Sequence, residues 1–126
     1  MIQINIPEVL AEVTAAWERY NRAVNANDVA VMNELFWQGP LTVRYGAGEN
    51  LYGHDEIARF RGSRKGPIDR AIGRAVITTF GHDFATAFCE TQVAGATRRG
   101  RQSHTWVRAD LGWRIVAAHV SSMEGT

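Results

Sequence analysis

The chain has 126 residues, 45% hydrophobic and 21% charged, with a formal net charge of +1. This composition describes a globular domain, and its near-balanced charge gives no reason to expect a nucleic-acid partner. The lone cysteine, Cys89, excludes an internal disulfide and a cysteine-built zinc site and suits a reducing cytoplasm. The N-terminal MIQINIPEVLAEV has no basic start or apolar run of a signal peptide, and no stretch approaches the ~18 apolar residues of a membrane span. The expectation is therefore a cytoplasmic protein with no membrane partner, one domain over residues 1–126.

Pro7 suits a first helical position, with Glu8 in the first turn. Val9, Val13, Ala16, Trp17, Tyr20 and Val24 then recur at spacings of three and four, which predicts one helical face running to about Asn25. Tyr20 is thus an inward residue whose hydroxyl needs a partner. Asn27 and Asp28 are N-cap types, and Val29–Phe36 reads as a short second helix. Gly39-Pro40 breaks the chain. Leu41–Tyr45 alternates as a strand, with Arg44 opposite Val43 and Tyr45, and Gly46–Asn50 turns into a return strand at Leu51-Tyr52. Asp55–Arg64 predicts a third helix, acids first and bases last, as the helix dipole favours.

From about Arg74 the chain reads as strand: Ala75–Phe80, Phe84–Val93, about Arg101–Arg108 and about Trp113–Met123, with turns between them. Segregated helices and strands predict an α+β fold, a single curved antiparallel sheet wrapped as a cone over the N-terminal helices. The mouth of such a cone is a natural ligand site.

Several polar residues sit where a plain core would be aliphatic. Tyr20 and Arg44 would meet if the Arg44 face of its strand lines the cone, and the pair could then clamp an anionic substrate and move a proton. The bland alternatives are a core tyrosine bonded to a backbone carbonyl and a solvent-facing arginine. His104 shares a face with Gln102 and Trp106. By alternation His119 shares one with Ile115, Ala117 and Ser121, so both histidines are expected to point toward enclosed space, as core residues or as pocket groups. Without a carboxylate companion they make no convincing metal site, and no metal or organic cofactor is expected. Glu90 is expected to pair with a cross-strand arginine rather than to serve as a general base in the pocket, and Cys89 to be an inert buried thiol rather than a nucleophile. His54 and His82 read as surface residues, and Arg98, Arg99 and Arg101 as a solvated hairpin tip. The chain has no G-x-S-x-G, P-loop or G-x-G-x-x-G motif.

Four stretches, GHDEIARFR, GRAVITTFG, GRQSHTWVR and GWRIVAAHVS, together resemble the AtzH/HpxZ-like family of the nuclear-transport-factor-two-like, SnoaL-like superfamily across nearly the whole chain. The resemblance implies the cone fold and a decarboxylating amidohydrolase step, 1,3-dicarboxyurea to allophanate, in cyanuric acid or oxalurate catabolism. It implies catalytic roles for Tyr20, in WERYNRAV, and Arg44, in LTVRYG. His104 departs from the glutamine that relatives often carry there. On this reading Arg44 holds one carboxylate, Tyr20 supplies a proton, and His104, Trp106 and His119 shape the pocket. The resemblance also leaves open a non-catalytic role, as a small-acid-binding or assembly module for an amidase complex. Open sheets in this superfamily commonly pair, so a homodimer or larger homo-oligomer is expected.

Overall fold

The structure is a computed structural model, described here for residues 1–124. Three helices precede the long strands: α1 (Pro7–Ala26), α2 (Val29–Leu35) and, after the short strands β1 (Val43–Tyr45) and β2 (Asn50–Tyr52), α3 (His54–Gly62). Four long strands follow: β3 (Arg70–Phe80), β4 (Phe84–Val93), β5 (Gly100–Ala109) and β6 (Gly112–Ser122). Local chemistry sets the helix boundaries. Pro7 opens α1, Asn27 closes it in the left-handed conformation (φ 57°), and Asp28 caps α2 by accepting from the Val31 N–H at 3.2 Å. Asp55 and Glu56 lie in the first turn of α3, and Arg59 and Arg61 in its last.

The six strands form one sheet in the order β2-β1-β6-β5-β4-β3. The long strands are antiparallel to their neighbours, but β1 runs parallel to β6, so the sheet is mixed rather than wholly antiparallel. Alternation of side chains is the same in both kinds of ladder, and the sequence therefore carried no sign of this. The third helix is shorter than expected. β3 begins at Arg70 rather than Ala75, because its register against β4 shifts between Ile72 and Ala75 and the alternation is broken there.

One face of the sheet packs on the helices. Val9, Val13, Trp17, Tyr20 and Val24 of α1, with Met32 and Leu35 of α2 and Ile57 of α3, meet Ala85, Ala87, Trp106, Trp113 and Ile115. Across the β4–β5 ladder Ala85 faces Trp106 and Ala87 faces His104, so each large ring stands beside a small neighbour. Ile115 is fully buried, and Ile115→Ala would cost about 2–5 kcal/mol by leaving a cavity in this layer.

A second irregularity decides which way β6 faces. Trp106 pairs with Ile115 but Thr105 pairs with Ala117, so Val116 is an extra residue on β6. Trp113 and Ile115 face the helices before the bulge, and Ala118 does so after it. The expected grouping of His119 with Ile115 is therefore corrected: His119 is exposed and lies on the outer face. One inserted residue reverses the facing of everything beyond it.

Candidate functional site

On the helix side of the sheet lies a cleft of about 680 Å³. Tyr20 and Val24 reach it from α1, Arg44 from β1, and Phe60 and Arg61 from α3. Arg64, Ile68 and Arg70 come from the segment leading into β3, and Gln102 and Val120 from β5 and β6. Arg98 lines the mouth from the β4–β5 turn. Among the described residues, five arginines thus border the cleft, and no aspartate or glutamate lines it. A shallower depression of about 450 Å³ on the outer face contains His119, Glu90 and Arg101. It lacks buried cations, and the helix-side cleft is the better candidate site.

Tyr20 is 3% exposed. Arg61 Nη2 donates to its hydroxyl oxygen, and the Arg61 guanidinium also lies 5.7 Å from the centre of the Tyr20 ring and 5.6 Å from that of Phe36. A guanidinium only donates, so the tyrosine oxygen accepts and its own proton must point elsewhere. No described residue accepts that proton. Arg61 is itself buried and meets no carboxylate among the described residues. Burial holds its ionisation below the usual arginine range, while Tyr20 acts in the opposite sense.

Arg44 is 8% exposed and differs from Arg61 in having an acid. Its Nη1 bonds Glu49 Oε2 at 2.8 Å, and its guanidinium sits 5.2 Å from the Phe60 ring centre. Glu49 folds back from the β1–β2 turn over Gly46, where a Cβ would collide with the carboxylate. Tyr20 and Arg44 thus line one cleft, but Arg61, not Arg44, contacts the phenol.

Arg70 is held by amides. Its Nε donates to Asn25 Oδ1 at 2.9 Å, Nη1 to Gln102 Oε1 at 3.2 Å and Nη2 to Asn21 Oδ1 at 2.6 Å. Burial lowers its ionisation, as it does for Arg64. Arg64 Nη2 donates to the Val24 carbonyl at 3.0 Å.

His104 and Trp106 are not on the cleft wall. His104 is 3% exposed behind Tyr20, with ring centres 5.1 Å apart, and Trp106 lies behind it at 5.8 Å. Burial, with Arg61, Arg70 and Arg44 around it, pushes the His104 imidazole down to about 3, so it is neutral there, and its Nδ1 has no partner among the described residues. Their expected place against the substrate is corrected to a buried layer beneath it. His119 lies on the far face, its ring edge-on to Tyr45 at 5.9 Å.

The remaining expectations divide. Glu90 does pair with an arginine, but with Arg99 of the turn, at 2.7 Å, rather than with its cross-strand neighbour Arg101. Cys89 is buried, and burial raises its thiol ionisation, Arg70 opposing. His82 is exposed, whereas His54 is part-buried, its Nε2 2.8 Å from the Asn33 carbonyl. Among the described residues no group of three or more His, Cys, Asp or Glu could hold a metal, and no helix is long and apolar enough to cross a membrane.

The family model described as AtzH-like matches residues 2–126. The chain belongs to the AtzH-like family. Among solved structures, this AtzH-like chain is similar to a protein of unknown function from Pectobacterium atrosepticum, at 57% identity over 96% of this chain and 95% of that one, with a TM-score of 0.93. It is also similar to a cystatin-like fold protein from Burkholderia xenovorans, at 42% identity over 98% of both chains and a TM-score of 0.92. A nuclear transport factor 2-like protein from Salmonella enterica, 24% identical over 94% of both chains with a TM-score of 0.78, shares the fold. No curated protein matches the AtzH-like chain. Its fold is thus that of the NTF2-like, cystatin-like proteins, a scaffold that hosts unrelated chemistries.

Proposed function

We propose that this protein is a cofactor-free enzyme that decarboxylates small N-carboxyurea acids, 1,3-dicarboxyurea to allophanate, at the Tyr20–Arg44 cleft. The observation that carries this reading is a phenol hydroxyl held by a buried cation in a cleft with five arginines and no acid on its wall. Such a wall attracts a small polyanion, and the phenol offers it one proton.

The step balances with a single proton. Arg44 grips the carboxylate that is retained, exchanging Glu49 for it. The C–N bond to the other carboxylate breaks, carbon dioxide leaves, and the electron pair stays on nitrogen, delocalised into the urea carbonyl. Tyr20 gives its proton to that nitrogen and becomes a phenolate beside Arg61. The dianion thereby yields the allophanate monoanion, and solvent reprotonates Tyr20. Arg61 is matched to the charge that appears on Tyr20, the kind of preformed stabilisation that lowers a barrier most.

The test is to add purified protein to freshly prepared 1,3-dicarboxyurea and follow allophanate and carbon dioxide. Release above the uncatalysed decay is the expected result. Release at the uncatalysed rate, or an excess retained in full by both Tyr20→Phe and Arg44→Ala, overturns the reading.

We further propose that a second copy of the chain covers the outer sheet face, where Val76, Phe84 and Phe88 are 49%, 42% and 55% exposed. Apolar exposure of this kind marks an association surface. Light scattering on the purified protein should give a dimer or larger oligomer, and Phe88→Glu should weaken it; a monomer at high concentration would refute this.

A further inference from the structure

We propose that Arg70, in its cradle of side-chain amides, is a second anion subsite that selects dicarboxylates over monocarboxylates. The inference rests on reading the cleft as a carboxylate site. It assigns the end of the ligand that Arg44 does not hold.

The cradle is assembled from two elements. Asn21 and Asn25 stand one turn apart on α1, and Gln102 faces them from β5. Asn25 binds Arg70 twice, its Nδ2 donating to the Arg70 carbonyl at 2.8 Å and its Oδ1 accepting from Nε at 2.9 Å. The amide nitrogen of Asn21 donates to the Trp17 carbonyl at 3.0 Å, which turns its oxygen toward Arg70 and toward the Gln102 nitrogen at 3.1 Å. The Gln102 nitrogen being committed there, its oxygen faces Arg70. Each amide orientation is thus dictated by another bond in the network.

Three acceptors fix the guanidinium, and all three are neutral. An aspartate at position 21 or 25 would tie β3 to α1 as well and would also cancel the charge. Instead two amides, Asn21 and Gln102, are each 5% exposed in support of a cation that keeps its full charge at the cleft wall. Arg70 itself is part-buried, and a ligand carboxylate would offset the cost of holding its charge there without a counter-ion.

Arg44 and Arg70 also differ in grip. Arg70 has three N–H groups engaged by the cradle, whereas Arg44 has one engaged by Glu49 and a buried Nε without a partner among the described residues. Arg44 therefore suits a carboxylate held through the reaction. Arg70 offers mostly charge, which suits a carboxylate that must depart as neutral carbon dioxide.

The experiment measures binding without turnover. Glutarate and butyrate have similar length and differ by one carboxylate, and titration calorimetry gives their affinities for the folded protein. Wild type should favour glutarate by about tenfold or more, the worth of one good charge contact. Arg70→Gln should bring the ratio near one while changing butyrate affinity by about twofold or less. An unchanged ratio, or equal loss of both ligands in a folded variant, overturns the assignment. Should Arg70→Gln not fold, Asn25→Ala keeps the charge but unseats it, and must lower the ratio; an unaltered ratio again overturns the assignment. The two readings separate cleanly: a glutarate preference that depends on Arg70, without dicarboxyurea turnover, sinks the proposed reaction and leaves the subsite standing. Turnover with no glutarate preference in wild type does the reverse.

Discussion

Arg61 donates a hydrogen bond to the hydroxyl of Tyr20 from a guanidinium that is 3% exposed and has no carboxylate partner among the described residues. Such an arrangement is poor for stability and good for chemistry, and substitutions can separate the two. Arg61→Met keeps the volume and removes the uncompensated charge, so its melting temperature should equal or exceed wild type. Its turnover of dicarboxyurea should fall on the order of 100-fold, the usual worth of one preorganised donor to a developing negative charge. Calorimetry and kcat together check this; a destabilised but fully active variant would refute it.

Tyr20→Phe removes the oxygen that Arg61 donates to. The orphaned buried donor should cost about 1–3 kcal/mol in denaturant unfolding. Because the cost belongs to Arg61, the double variant Tyr20→Phe/Arg61→Met should recover most of it. Additive losses would show that the two residues are not coupled.

Glu49 occupies Arg44 as a ligand carboxylate would. Glu49→Gln should raise glutarate affinity about three- to tenfold, with a stability loss of about 1–3 kcal/mol because a buried guanidinium loses its acid. Gly46→Ala should act in the same direction, because a methyl group there displaces the Glu49 carboxylate. Weaker glutarate binding in both variants would mean that Glu49 supports the site rather than competing for it.

His104 should make the fold acid-sensitive. Its imidazole stays neutral in the folded chain down to about 3, while the unfolded chain takes up that proton near 6.5. Between those values the unfolded state binds more protons, so stability falls as the pH falls, by at most about 1.4 kcal/mol per unit. His104→Gln removes this contribution, and its melting temperature should decline less steeply than wild type from pH 6.5 to about 5. Equal slopes would refute the assignment.

The helices, their caps and the long strands were legible because local chemistry and periodicity set them: the face from Val9 to Val24 and the cap at Asp28 needed no tertiary information. The cleft was legible only in its first half. Tyr20 declared itself as a polar residue on an apolar face. Arg61 looked like an ordinary base complementing the helix dipole at the end of α3, and its spacing four residues after Ile57, another buried position, was the available signal. Arg70 was hidden because the β3 irregularity obscured the start of its strand, and Asn21 because it sits beside Tyr20 where a solvent residue was as natural. His119 was misplaced by Val116, since an inserted residue leaves composition and alternation looking regular on either side.

The ladder registers set Ala118 and Ala87 on either side of His104, with Arg44 one strand beyond Ala118. The imidazole therefore has no bulky lateral support in the sheet, and its ring neighbours are Tyr20 above and Trp106 along the strand. Height in this layer is governed by two methyl groups that carry no charge and touch no ligand. Enlarging either would tilt the imidazole and, through the ring contact, lift the phenol away from its arginine. The cleft's dimensions are thus set in part by residues that carry none of its charge, yet a change in them would reach its electrostatics through Tyr20.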